Sequence, residues 1–313
     1  MRNLITTASP HIHDGSSTRS IMLDVIIALT PTLIAATILF GPQALVLAAV
    51  TVFSAVLFEM VAKQVMRKDI TSVFDLSAVV TGLILALSMP SNIPLWLPVG
   101  GAFVSIVIVK QLLGGVLGRN PVNPALIGRL TVSRAMRGVY PGYPVPLTWS
   151  YGGVDTLTMA TPLHELTMNR SLPSYGELFL GLHGGTMGEV STVALLLGGG
   201  YLVWRHVISP VIPMAFIGTT MLVVAFAGQD PLAHMLTGGL AFAAIFMATD
   251  YSTSPITIKG KFIFAVGCGL MVAYIRLGSG PTDGITHALI TMNLLVPFID
   301  RFTLPKAFGY KNG

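Results

Sequence analysis

The strongest constraint on this chain is a series of long apolar runs almost free of charge. They lie near residues 21–40, 43–62, 73–90, 92–112, 190–208, 209–228, 231–249, 261–278 and 283–299, with a shorter run at 121–135 that carries Pro121, Pro124 and Arg129. About 20 apolar residues in a helix cross the hydrocarbon core of a bilayer. Only 10% of the chain is Asp, Glu, Lys or Arg, and the mean hydropathy is +0.76. A soluble domain carries about 25% charged residues to clothe its surface. The expected fold is therefore an all-α integral membrane protein of about ten transmembrane helices in a single membrane domain, 1–313.

Several functions are excluded at this point. The single cysteine, Cys268, cannot supply the four thiolates of an ordinary iron–sulfur cluster or close an internal disulfide. No Gly-x-Gly-x-x-Gly follows a strand, so nicotinamide chemistry belongs to a partner. The net charge of +5 comes without the interleaved aromatic and basic pattern of a nucleic-acid groove. No cleavable signal peptide is expected, because the first 20 residues are polar and the first apolar run is long enough to span.

The basic residues carry a topology signal. With ten spans both termini share a side, and that side receives 13 of the 18 Lys and Arg residues. Positive charge favours the cytoplasm. The expected arrangement has cytoplasmic termini in the inner membrane and the long, more polar stretch 136–189 outside. It divides the chain into a first repeat (1–135), the outer loop (136–189), a second repeat (190–299) and a cytoplasmic tail (300–313). Two echoes support the repeat. Thr81-Gly82 matches Thr237-Gly238, and Gly118-Arg-Asn-Pro121 matches Gly278-Ser-Gly-Pro281. Five spans per half would make the halves inverted, as in many transporters.

Chemistry concentrates in two stretches. In the outer loop, Asp155-Thr-Leu-Thr158-Met159-Ala160-Thr161-Pro162 places an accessible hydroxyl after a small residue; as an ordinary Thr-Pro loop, Asp155 would be a turn residue. In the membrane, Gly114-Gly115-Val-Leu-Gly118-Arg119-Asn120-Pro121-Val-Asn123-Pro124 reads as a broken helix, because proline removes backbone hydrogen bonds. Groups freed at such a break serve a ligand only where they line a protein cavity. Asn120 and Asn123 either coordinate there or cap the next helix, capping being the stronger reading. Arg119 pairs with a ligand or marks the cytoplasmic boundary, the boundary being favoured. Asp24, Glu59 and Asp250 lie close enough to run ends to be solvated. Asp250 is the best ion-path residue, so Asn120, Asn123 and Asp250 form the candidate membrane cofactor or ion site. His206, His234 and His287 show no metal-ligand spacing. Cys268 reads as packing, and Gly198-Gly-Gly200 as close helix packing.

These stretches carry a resemblance. The Asp155–Thr161 pattern resembles the acceptor for covalent flavinylation, departing from it at Met159, where Gly is usual. The 114–129 segment resembles the Gly-rich, Asn-Pro-containing segment of the membrane family that includes the D subunit of the Rnf complex and the B subunit of the sodium-translocating NADH:quinone reductase. Ser9-Pro10-His11, Gly188-Glu189-Val-Ser191, Met247-Ala-Thr249-Asp250 and Met292-Asn293-Leu-Leu-Val-Pro297 agree in order along the chain. The short N-terminal lead is closer to the Rnf member. The resemblance implies a urea-transporter-like fold of two inverted five-helix halves. It implies FMN joined through its phosphate to Thr161 by a flavin transferase, with Asp155, Thr158 and Ala160 completing the acceptor motif. It also implies a non-covalent riboflavin, which the sequence does not place. The partners implied are the other Rnf subunits and membrane lipid, and the activity is electron relay between ferredoxin and NAD+ coupled to Na+ or H+ transport. The alternatives are the quinone reductase member and a urea-transporter-like permease without redox chemistry.

Overall fold

The computed structural model describes residues 17–68, 71–114, 120–137, 142–148, 158–168, 172–189, 191–278 and 284–305. It is a helical membrane protein. Ser17 caps α1 (Thr18–Phe40), its hydroxyl accepting from the Ser20 N–H. The helix runs through Pro31 and stops at Gly41, whose φ of +79° suits glycine. Pro42 opens α2 (Pro42–Val65) at once, where a missing N–H costs nothing. Two long helices are thus joined by a single residue.

A short 3-10 turn (Thr71–Asp75) and Leu76, in the left-handed region at φ +66°, lead into α3 (Ser77–Leu87). Then come α4 (Trp96–Phe103), continuing as π-helix over Val104–Leu113, and α5 (Pro124–Ala135). Across the middle of the chain lie β1 (Tyr143–Pro144), β2 (Thr158–Met159), α6 (Pro162–Thr167) and α7 (Tyr175–Leu180). The second half holds α8 (Thr192–Trp204), α9 (Val211–Phe226), α10 (Pro231–Leu236) and α11 (Leu240–Phe242), which continues as π-helix over Ala243–Met247. It ends with α12 (Ile258–Gly278) and α13 (Ile285–Thr303).

Every apolar run of the sequence is helical, and four helices are long and apolar enough to cross a membrane: Thr18–Phe40, Pro42–Val65, Trp96–Leu113 and Ile258–Gly278. Run 231–249 differs from expectation. It is two helical pieces separated at 237–239, where Gly238 (φ +67°) and Gly239 (φ +68°) both take left-handed backbone. Apolar composition does not change there, so hydropathy alone cannot see the break.

In lipid, helices associate through close packing and not through water exclusion. Glycine supplies the contact. A Cβ on Gly198 of α8 would lie 2.1 Å from the Ala28 carbonyl oxygen of α1, and one on Gly199 would lie 3.0 Å from Ile245. This meets the expectation for the 198–200 triplet at two positions; Gly200 faces open space. α4 and α5 approach through Gly101 and Gly128 in the same way. Elsewhere α2 packs on α3 and α4, α9 on α12, and α12 on α13. The halves meet where α1 packs on α8 and α5 on α13. Cys268 is buried in this core. The outward surface carries Phe53, Trp204, Phe226, Tyr274 and Phe302, each at least 70% exposed, as lipid allows and water does not.

Candidate functional site

The expected site residues separate into two groups at opposite ends of the bundle. At about 1.5 Å per residue, the 23 residues of α1 alone span roughly 35 Å.

The first group surrounds Thr161. The strand Thr158–Met159 pairs antiparallel with Tyr143–Pro144. Thr161 then caps α6, its hydroxyl oxygen accepting from the His164 N–H at 3.3 Å. Pro162 fits the first helical position because it has no N–H to satisfy. Thr161 and Ala160 are half-buried and Thr158 is exposed. Met159 lies over Gly184, where a Cβ would meet its Cγ at 2.5 Å. The larger residue at 159 is thus seated against a glycine. Asp155 lies outside the described residues.

Beneath this turn is the break between α10 and α11. Leu163 of α6 is buried and rests on Gly238, whose Cβ would lie 2.7 Å from it. The buried Arg276 of α12 donates to the carbonyls of His234 (2.6 Å), Thr237 (3.1 Å) and Gly238 (3.4 Å). A guanidinium suits the carbonyls at a helix C-terminus both as donor and as charge. Asp230 caps α10 and accepts from the Tyr175 hydroxyl, tying α7 to the same platform. In α7, the Ser174 N–H donates to the Glu177 carboxylate and holds it below the usual glutamate range. The 136–189 stretch is not a loose loop throughout. Residues 183–189 are buried, and the N–H groups of Met187 and Gly188 donate to the Met89 and Leu87 carbonyls at the end of α3.

The second group meets in a cavity of about 920 Å³ at the other end. Asn120, Asn123 and Asp250 all line it, although 130 residues separate the first from the last. Helix α4 stops at Leu113 and α5 resumes at Pro124. Asn123 caps α5, its Oδ1 accepting from the Ala125 N–H at 3.0 Å, as the capping reading expects. Its Nδ2 donates to the Met247 carbonyl at 3.4 Å, joining this break to the end of α11. Asn293 of α13, with its amide oxygen toward Asn123, accepts the Asn123 N–H and donates to the Thr253 carbonyl. Asp250 closes a local turn, accepting from the Ser252 and Thr253 hydroxyls at 3.0 and 3.1 Å. Arg119 lies outside the described residues.

The cavity wall also carries Glu59, which the sequence places close enough to a run end for solvent. Glu59 is instead fully buried. Its Oε1 accepts from Lys110 (2.9 Å), Lys63 (3.1 Å) and Gln111 (3.2 Å). Lys110 also donates to the Ser77 hydroxyl at 2.6 Å, and Lys68 donates to the Gln111 carbonyl at 2.9 Å. Away from the cavity lining, Asp24 of α1 is largely buried and accepts from Tyr201 of α8 (2.7 Å) and from the half-exposed Arg205 that follows α8 (3.3 Å). The sequence does hold a signal for Glu59, since Glu59 and Lys63 stand four apart within an apolar run. Its second partner, Lys110, comes from another helix and carries no such signal. The lining also includes the apolar Ile21, Val25, Ile84, Leu202 and Phe246. A cavity of this size and mixed lining is suited to a flavin-sized or similar amphiphilic molecule.

The architecture is therefore that of a multi-pass helical membrane protein with broken helices, a capped threonine turn and a separate cavity of mixed lining. The model of the NQR2, RnfD, RnfE family matches residues 5–309. The chain is 44% identical to the D subunit of the Na(+)-translocating ferredoxin:NAD(+) oxidoreductase complex of Acetobacterium woodii, covering 98% of this chain and 96% of the relative. It is 39% identical to the D subunit of the proton-translocating ferredoxin:NAD(+) oxidoreductase complex of Clostridium ljungdahlii (98% and 97% covered). It is 37% identical to the D subunit of the ion-translocating oxidoreductase complex of Stutzerimonas stutzeri (94% and 93% covered). The chain belongs to the NQR2, RnfD, RnfE family.

Proposed function

We propose that this chain is the D-type membrane component of an ion-translocating ferredoxin:NAD+ oxidoreductase complex, carrying FMN covalently on Thr161. The full-length similarity to the D subunits of such complexes supports the assignment, and the Thr161 turn carries the cofactor reading. The residues fit the group. Among the described residues Thr161 Oγ1 accepts one long hydrogen bond, from the His164 N–H at 3.3 Å, and its O–H donates to none of them. Ala160 and the exposed Thr158 leave room beside it. FMN supplies one-electron transfer when attached. The chain's own part is positional: α6 rests on α10, and Arg276 holds the α10–α11 break beneath it.

The non-covalent riboflavin is assigned to the cavity that unites Asn120, Asn123 and Asp250, at the other end of the bundle. One redox group near each face suits a protein that relays electrons across the membrane. Nicotinamide and ferredoxin chemistry falls to the partner proteins of the complex, and a flavin transferase completes the chain.

The proposed topology is ten crossings in two inverted halves of urea-transporter type, with cytoplasmic termini in the inner membrane. The element order supports it. Each half runs through two helices, a short helical piece, a left-handed residue (Leu76 or Gly239), a helix, a turn, a long helix, a break and a last helix. The leading helices α1 and α8 meet, as do the closing helices α5 and α13.

Expression with a flavin transferase, followed by ultraviolet illumination of a denaturing gel, tests the cofactor reading. The chain should fluoresce and Thr161→Ala should be dark. A fluorescent Thr161→Ala band would remove Thr161 from the role.

A further inference from the structure

We propose that Gly184 and Gly238 are positioning residues for the modification of Thr161, each forming a seat for a side chain two residues from it. The inference rests on the reading that Thr161 receives FMN, and it adds what places the acceptor on the bundle.

Met159 precedes Thr161 by two residues and Leu163 follows it by two. Met159 is where the turn departs from the acceptor pattern it resembles. It pairs with Tyr143 of β1, and its half-buried side chain lies over the buried Gly184. A Cβ at 184 would stand 2.5 Å from Met159 Cγ, 3.2 Å from its Sδ and 3.3 Å from Tyr143 Cβ. Leu163 meets Gly238 in the same way, its Cδ2 standing 2.7 Å from where a Cβ would be. The cap gives the turn its shape; the two seats set its place.

Both sides of the Met159 seat are anchored. Beneath it, His183 is fully buried, with its Nδ1 3.1 Å from the Gly184 carbonyl oxygen. Farther along that segment, the Met187 and Gly188 N–H groups donate to the end of α3. Beside it, Asn92 donates to the Gly142 carbonyl at 3.0 Å, and the Leu147 N–H donates to the Leu39 carbonyl of α1 at 2.7 Å. A side chain at 184 would therefore displace Met159 and not its surroundings. The nearest atom is Cγ, close to the backbone, so the flexible end of the methionine offers no relief. Only rotation about χ1 or a shift of the strand clears the contact, and either unseats the turn. The consequence is chemical. In the modification Thr161 Oγ1 bonds to the flavin-side phosphorus of FAD, the pyrophosphate bond breaks, AMP leaves, and the hydroxyl proton passes to a base of the transferase. A displacement of about 1 Å in a reacting group can cost on the order of 100-fold in rate.

The test is the initial rate of covalent flavin incorporation into the full-length chain. The chain is produced in a host without a flavin transferase, and its membranes are then supplied with FAD and a transferase shown active on another substrate. In-gel fluorescence reads the rate. Gly184 is outside the left-handed backbone region, so alanine there adds a contact without backbone strain, which the φ of +67° at Gly238 does not allow. Gly184→Ala should lower the rate about tenfold or more. Met159→Ala, which lacks Cγ and Sδ, empties the seat without blocking it and should fall between the two. In the Met159→Ala background, Gly184→Ala should cost nothing further, because the atom it strikes is gone. A merely structural role for Gly184 would lower both backgrounds alike. If Gly184→Ala fails to fold, the Met159→Ala protein with and without Gly184→Ala carries the test, and equal folding and equal rates are expected. An unchanged rate in Gly184→Ala, an equal loss in both backgrounds, or a double variant that does not fold would overturn the seat and leave Thr161 as the acceptor. A starting protein that takes up no flavin would overturn the Thr161 reading and the seats with it.

Discussion

Thr161 and Glu59 lie at opposite ends of the molecule and are held in opposite ways. Thr161 is half-buried, caps a six-residue helix, and takes its position from neighbours within three residues. Glu59 is fully buried and paired with cations from its own helix and from the π-helical end of α4. The Thr161 site is a local motif seated on a platform, its hydroxyl oxygen capping α6. The cavity is assembled from α1, α2, α3, α4, the 120–123 break, α8 and α11, and at its wall Glu59, Lys63 and Lys110 depend on one another. A short capped turn needs only its near neighbours to hold it. A cavity that must hold charges inside a membrane needs partners from many segments, because an unpaired ion there is costly.

The comparison can be broken by mutation. Glu59→Ala should have the largest effect, destabilising the protein by about 3–5 kcal/mol because two buried lysines lose their counter-ion. Its covalent flavin should be unchanged in the fraction that folds. At the contact between halves, Gly198→Val should cost about 1–3 kcal/mol by overpacking against Ala28, while Gly200→Ala, facing open space, should be neutral or slightly stabilising. Similar costs at both positions would argue against α1 and α8 being in contact. Thr161→Ala should remove all covalent flavin while lowering stability by only about 1 kcal/mol, the usual cost of losing a threonine cap. Thermal unfolding in detergent reads all of these, and equal shifts for Glu59→Ala and Thr161→Ala would erase the distinction between the ends. The smallest effect belongs to α7. The Glu177 carboxylate is held below its ordinary range by the Ser174 N–H, so its contribution is present above the unfolded glutamate range and lost as pH falls through the lowered value. Limited proteolysis near 172–180 should therefore quicken modestly on acidification, and Glu177→Gln, which has no carboxylate to titrate, should remove that pH dependence.

How much of this is legible in the sequence depends on how local each feature is. The apolar runs become helices because hydropathy and length act residue by residue. The stop after Leu113 and the Asn123 cap follow from Asn-Pro spacing, and the Gly198 and Gly199 contacts from the absence of side chains. The break at 237–239 escapes because its cause is left-handed backbone at two glycines inside an otherwise apolar run. The burial of residues 183–189 escapes because their partners, Leu87 and Met89, lie about 100 residues away. The partners of Asp24, Tyr201 and Arg205, are 177 and 181 residues distant and leave no local signal. Asn120, Asn123 and Asp250 each stand out on local grounds, but only the packing of α5 against α13, and of the break against the end of α11, gathers them around one cavity.

Peptide mapping by mass spectrometry, on the chain expressed with a flavin transferase, tests the central claim most directly. The account predicts FMN joined by a phosphoester to the peptide containing Thr161, and no adduct there in Thr161→Ala. An unmodified Thr161 peptide, with the same transferase shown active on another substrate, would contradict it.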